Sequence, residues 1–405
     1  MKEYKISISY KRRWKINELF YYFMILFFEV VMIYPDAMTY MAGYNYIRIM
    51  QNVLAIIIII MSMFFIKENK VLLIVLLLYS SYFLATFINH AYYPRVWYYF
   101  SKSYTLIVFL HMLGKRDKEI VLTALADYFA IIVYVNTLFT LLKPTGLIYS
   151  TNINNIEKGI YLLGEKNQVM PYFLIAMTLS IAYSEIYKYK KYRCYFIFAC
   201  AWACELVYMS STAMIGLFIY SCYLICYHRK ENEFQMTRHK VWYFEGIFVM
   251  VGLYYSIVVV RIQNYLNEFI EKIFHKDATF STRTIIWDST IQMIKKSPLF
   301  GYGGIETKYI VIGKSTFNSH NLVLQVLLMG GIMMLSLLIM YIISSIRKII
   351  LINNKKIRNI ISILFLSFFI MSITEIYSLQ LVTLILFLPY LFETKGDISI
   401  LQTEK

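Results

Sequence analysis

Long apolar runs recur from Leu19 to Phe392, broken by short gaps rich in Lys and Arg. A helix that crosses a bilayer needs roughly 20 mostly apolar residues. On that rule the runs predict spans at 19–34, 47–66, 71–89, 96–113, 120–142, 169–187, 194–209, 212–227, 241–260, 320–346, 359–373 and 378–392. The last two are short, and a single interrupted segment is the other way to read them. The pattern therefore predicts an all-α, polytopic integral membrane protein of about 12 transmembrane helices. Two stretches interrupt the regular alternation. They are the segment 143–168 and the long loop 261–319.

Composition agrees with the pattern. Of 405 residues, 59% are hydrophobic and 16% charged, and the mean hydropathy is +0.57. A soluble domain is nearer half apolar and a quarter charged. The apolar excess extends along the whole chain, so 1–405 reads as one transmembrane domain. The run Lys11-Arg12-Arg13-Trp14-Lys15 precedes the first apolar segment, but no small-x-small site follows it. The first segment therefore reads as a retained helix, not a cleaved leader.

The net charge of +16 would suit a nucleic-acid partner if it formed a patch. It lies instead in the gaps between spans, which argues against nucleic acid and for the positive-inside bias. With the N-terminus inside, 26 of the 40 Lys and Arg fall in inner segments and 6 in short outer loops or at helix edges. The rest lie in 261–319, and long loops are largely exempt from the rule. This predicts a multi-pass protein of the cell (plasma or inner) membrane with both termini cytoplasmic. The segments 143–168 and 261–319 are then extracytoplasmic.

Candidate chemistry is sparse elsewhere. Cys194, Cys200, Cys204, Cys222 and Cys226 fall in two neighbouring spans. Cys200/Cys204 and Cys222/Cys226 each share a helical face. Small residues at helix contacts account for them more simply than metal binding. No Asp-x-Asp, His-x-x-x-His or Cys-x-x-Cys occurs, so no metal or cofactor is expected. Glu29, Asp127, Glu205 and Glu375 lie in or near spans, where acids are costly. Glu375 sits in the tight turn between the last two.

The long loop carries more. Ser281 or Thr282 can cap a helix. Ile286, Thr290, Met293 and Ile294 then recur at helical spacing beside Trp287. Lys295, Lys296 and Ser297-Pro298 close that helix, which is expected to lie amphipathically along the outer membrane surface. A turn, Gly301-Tyr302-Gly303-Gly304, follows, and Ser319-His320-Asn321 stands where the chain re-enters the membrane. Arg presents a planar fork that fits phosphate oxygens, and His takes a proton near neutral pH. Together they suit an anionic lipid-phosphate donor and a hydroxyl acceptor. For Trp287 and Tyr302, interfacial anchoring is an equal alternative.

Arg283-Thr284-Ile285-Ile286-Trp287, Ser297-Pro298-Leu299-Phe300-Gly301-Tyr302-Gly303, and Ser319-His320-Asn321 before Gly330-Gly331 form an ordered set. This set resembles the O-antigen polymerase and O-antigen ligase superfamily of membrane glycosyltransferases. Ser210-Ser211-Thr212 and Gly164-Glu165-Lys166-Asn167 resemble two further family segments, although the Arg that often follows the serines in relatives is missing. The first 150 residues match no family motif.

The resemblance implies a metal-independent, inverting glycosyl transfer. The donor would be a glycan on an undecaprenyl diphosphate carrier, and the product a surface polysaccharide such as capsule, exopolysaccharide or O-antigen. It implies His320 as base and Arg283, with Arg261, on the leaving diphosphate. It also implies Asn321 as an orienting group, Trp287 and Tyr302 as sugar platforms, and Gly301, Gly303 and Asn167 near the substrate; Glu375, by its place in the outer turn, is a further substrate-binding candidate, with simple solvation there as the alternative. A flippase and a chain-length regulator of the same pathway would be partners. A polymerase of repeat units and a ligase of finished glycan share this chemistry. A lipid-linked oligosaccharide flippase or other transporter is the alternative from another class, but no inverted repeat is visible.

Overall fold

The computed structural model describes residues 15–66, 69–151, 157–187, 192–229, 251–261, 280–305, 309–312 and 315–392. In chain order its helices are α1 (Ile16–Met32), α2 (Tyr44–Ser62), α3 (Lys70–Ile88), α4 (Tyr93–Arg116), α5 (Lys118–Leu142), α6 (Met170–Tyr187), α7 (Tyr192–Tyr208), α8 (Ser211–Arg229), α9 (Phe280–Lys296), α10 (Leu322–Leu351), α11 (Lys355–Met371) and α12 (Leu379–Leu391). Each predicted span other than 241–260 overlies one of them. Residues 241–250 lie outside the described residues, whereas Tyr255–Val260 is π-helical and ends on Arg261 at φ 60°. By length and composition, α2, α3, α5 and α10 are apolar enough to cross a membrane, while α6, α8 and α12 are apolar but shorter. The last two spans are separate helices, α11 and α12, divided by the turn 372–378.

Helix starts follow local chemistry. The Asp117 side chain accepts from the Ile120 amide at the head of α5, and Asn354 accepts from the Lys356 and Ile357 amides at the head of α11. Pro94 stands in the first turn of α4, where its missing N–H costs nothing. Burial separates centre from rim. Every residue of α12 except Tyr390 is buried, and a helix apolar all round belongs inside. By contrast α2 exposes Ile49, Val53, Ile56, Ile57 and Ile60, as a helix at the rim facing lipid would. The two halves of the chain interlock, with α3 against α10, α4 against α12 and α8 against α11.

Two small sheets were absent from the sequence reading. One joins β1 (Ile148–Thr151), β2 (Glu157–Tyr161) and β3 (Gly164–Glu165), with Ile148 opposite Ile160. The other pairs β4 (Ile310–Ile312) with β5 (Ser315–Phe317). Strands this short carry little periodicity.

The Gly330-Gly331 pair, expected inside a helix, breaks it. Gly331 sits at φ 63° and ψ −161°, a region open essentially to Gly alone. Amides and carbonyls freed by the break are taken up by the strap 297–304. Tyr302 N donates to Leu328 O at 2.7 Å and Gly303 N to Met329 O at 2.9 Å, while Ile332 N donates to Pro298 O at 2.8 Å. Buried backbone must be paired somewhere, and here the strap does it. The other side of the strap meets α3 and α4, where Asn89 Nδ2 donates to Gly301 O and Gly304 N to Thr86 Oγ1.

The connections α1–α2, α3–α4, α5–α6, α7–α8 and α11–α12 and the strap gather at one end of the bundle. Ala37 N donates to Leu162 O and Tyr92 N to Gly304 O. Thr212 and Thr374 share a hydrogen bond, and Gln380 Nε2 donates to Met32 O.

Candidate functional site

At that end, four side chains from four separate segments meet. Glu375, in the turn between α11 and α12, is 5% exposed. Its Oε1 accepts from Asn167 Nδ2 at 2.8 Å and from Arg283 Nη2 of α9. Its Oε2 lies 3.6 Å from His320 Nδ1. The Arg283 guanidinium and the Asn167 amide thus neutralise and solvate a carboxylate that would be expensive to bury alone. The His320 side chain is 36% exposed, so one face of the imidazole meets the carboxylate while the ring stays open to an incoming group.

The backbone holds His320 in place. Asn321 caps α10 by accepting from Leu324 N at 2.9 Å and donates to Ile373 O at 2.8 Å. Leu322 N donates to Ser372 O at 3.0 Å. The residues on either side of His320 are therefore tied down, Asn321 to the turn that carries Glu375 and Ser319 to Gln325 Oε1. His320 itself adopts φ 47°, a conformation that non-Gly residues reach at some cost and that clusters at functional sites. Tyr377 follows two residues after Glu375, and burial, then the Glu375 charge, pushes its phenol well above the usual range.

Other residues singled out from the sequence take different places. Asn321 serves the backbone as described. Trp287 is fully buried among Val258, Leu324 and Ile373, a packing position with no face left for a sugar or for the membrane interface. Met293 and Ile294 also pack inward, so α9 rests on α10. The described part of α9 already includes Phe280, so Ser281 and Thr282 lie within the helix instead of at its cap. Tyr302 donates its hydroxyl to Met293 O at 2.7 Å, tying the strap to α9. Gly301 and Gly303, both at positive φ, lie where a Cβ would strike the α10 and α3 backbones. Arg261 pairs with Asp288 of α9 and not with Glu375.

Among the acids in the spans, Asp127 accepts from Arg193 at 2.5 Å and from Tyr22 at 2.7 Å. Glu29 has a buried carboxylate with no hydrogen-bond partner, and the Glu205 carboxylate, also buried, lies beside the Ser210 backbone. Cys194, Cys200 and Cys204 are buried packing residues, and Cys222 is exposed. Ser210 accepts from Ala213 N at the head of α8.

The geometry defines a class: a helical membrane protein whose loop-bearing end joins a guanidinium and an imidazole through one buried carboxylate. Residues 196–339 match the model of the O-antigen ligase family, in line with the resemblance carried by the motifs. No curated protein matches the chain. The matched stretch contains Arg283 and His320 but neither Asn167 nor Glu375.

Proposed function

We propose that the chain is a membrane glycosyltransferase that joins undecaprenyl-diphosphate-linked repeat units into a surface polysaccharide at the extracytoplasmic face. The observation that carries this reading is the convergence of Arg283, His320 and Asn167 on Glu375. His320 is the base. Its Nδ1 faces Glu375, which orients the ring and favours the imidazolium that forms. Nε2 then takes the proton of the acceptor hydroxyl as the oxygen attacks the anomeric carbon. The anomeric C–O bond to the carrier breaks, and its electron pair leaves on the diphosphate. Arg283 stabilises that charge, exchanging its contact with Glu375 for the diphosphate oxygens. The proton on His320 leaves to water. Attack from the face opposite the leaving group gives inversion, and protein cations take the role a metal would have. Asn167 keeps Glu375 in place during the exchange.

Arg283→Ala and His320→Ala are each expected to abolish polymer while the protein inserts at normal levels. Long-chain polymer from both variants would sink the assignment. The matched family's description favours a second reading, a ligase moving finished glycan to another acceptor. Glycan profiling of a deletion strain separates the two. Single units stranded on the carrier indicate a polymerase, and full-length glycan on the carrier indicates a ligase.

A further inference from the structure

A cavity of about 300 Å³ is lined by close sequence neighbours of Glu375 and His320. Its wall includes Asn318, two residues before His320, and Tyr377, two residues after Glu375. The opposite wall is α4, which contributes Arg95 and Lys102 two helical turns apart, and Asp36 lies across from them. All three charged residues fall outside the stretch that matches the family model. The reaction proposed above uses none of them.

Three observations describe what this cavity is suited to hold. First, it holds charged groups that are largely buried, where polar groups are costly. Lys102 is 5% exposed. Its ammonium donates to Tyr98 Oη at 3.1 Å and stands 3.7 Å above the Tyr34 ring. Second, two of the residues that line it, Asn318 and Tyr377, each carry a buried oxygen, Oδ1 and Oη, without a hydrogen-bond partner. Such atoms are rare in a settled interior and mark a place completed by something else. Third, among the described residues that line it, two cations face one carboxylate. Burial pushes the Asp36 carboxyl upward, against the pull of Lys102. Arg95 is held by Ile305 O at 2.6 Å on the side of the strap. Tyrosine rings and a few fixed polar groups are the usual lining of a small-ligand site, and a guanidinium fork favours a carboxylate.

We propose that this cavity receives an acidic sugar, a uronic acid residue of the lipid-linked substrate, and so selects which repeat unit is joined. The proposal rests on the glycosyl-transfer reading for its biological meaning, but binding is measurable without transfer. The shared chemistry, an anion beside cations, would also describe the carrier diphosphate, so the test contains both.

Full-length protein in detergent is examined by saturation-transfer NMR with methyl glucuronide and methyl galacturonide, against methyl glucoside, with geranyl diphosphate as competitor. Saturation is expected on at least one uronide, several-fold above the glucoside, and unchanged by geranyl diphosphate. It should vanish in Arg95→Gln and Lys102→Met. Tyr377→Phe removes a hydroxyl with no internal partner, so the protein stays folded while uronide binding weakens about fivefold, the worth of one hydrogen bond. Equal saturation of glucoside and uronide, no saturation of any glycoside, or indifference to all three substitutions overturns the proposal. So does displacement of the uronide by geranyl diphosphate, which would assign the cavity to the carrier. His320→Ala separates the two readings. Lost transfer with intact uronide binding supports both, whereas retained transfer with intact binding removes only the catalytic assignment.

Discussion

Glu375 holds the site together at the scale of single residues. One carboxylate accepts from Asn167 and Arg283 and faces His320. Replacing it by Gln keeps an acceptor for Asn167 but removes the charge that orients the imidazole. Polymer synthesis by Glu375→Gln is expected to fall about 100-fold, the low end for loss of an effective general base, with normal membrane levels. Synthesis within a few-fold of the parent, measured as polymer per inserted protein, would take Glu375 out of the chemistry. Trp287 makes the opposite case. Its indole is fully buried and its Nε1 has no partner. Trp287→Ala should therefore cost about 3–5 kcal/mol of stability through the cavity it leaves. Trp287→Phe should cost far less, since no hydrogen bond is lost. Thermal unfolding in detergent compares the two, and equal losses would contradict a packing role.

Between elements, the strap and the broken helix are one device. Gly331 opens α10, and 297–304 fills the opening with its own amides and carbonyls. Gly331→Ala forces a side chain into a Gly-only conformation against Leu299 and Phe300. The strain alone is about 1–3 kcal/mol, and the clash adds to it. Gly43, at the head of α2, has ordinary φ and nothing within 4 Å of its Cβ position. Gly43→Ala should leave the melting temperature unchanged while Gly331→Ala lowers it by several degrees. Similar melting of both variants would refute the account of the break. The device also places chemistry, because α9, which carries Arg283, and α10, which His320 precedes, are tied together through this strap by Tyr302.

For the whole molecule, connections distant in sequence meet at one end and bring the site there. The Lys and Arg distribution predicts that this end faces outward. Reporters fused at Lys158 and Lys295 are expected to read as external, and one at Arg238 as cytoplasmic. A cytoplasmic signal at Lys295 would overturn the proposed mechanism, because an extracytoplasmic glycan would not meet Arg283.

Much of this was legible in the chain. Apolar runs placed the helices because a bilayer demands length and continuity, and those constraints are written locally. Arg283, His320 and Glu375 are legible as rare polar groups beside apolar runs, whereas Asn167 is marked only by its resemblance to a family segment. Their common partner was not legible. Glu375 lies 208 residues from Asn167 and 92 from Arg283, and no local pattern encodes such a meeting. Nor did sequence separate residues that face a site from those that build its frame. Trp287, Tyr302, Asn321, Gly301 and Gly303 share motifs with Arg283 and His320, yet packing and backbone pairing claim them. The alternation of apolar runs and charged gaps determined a helical membrane protein. Which polar groups face one another across its end was decided only by how the helices pack, because that contact is long-range and depends on every element between.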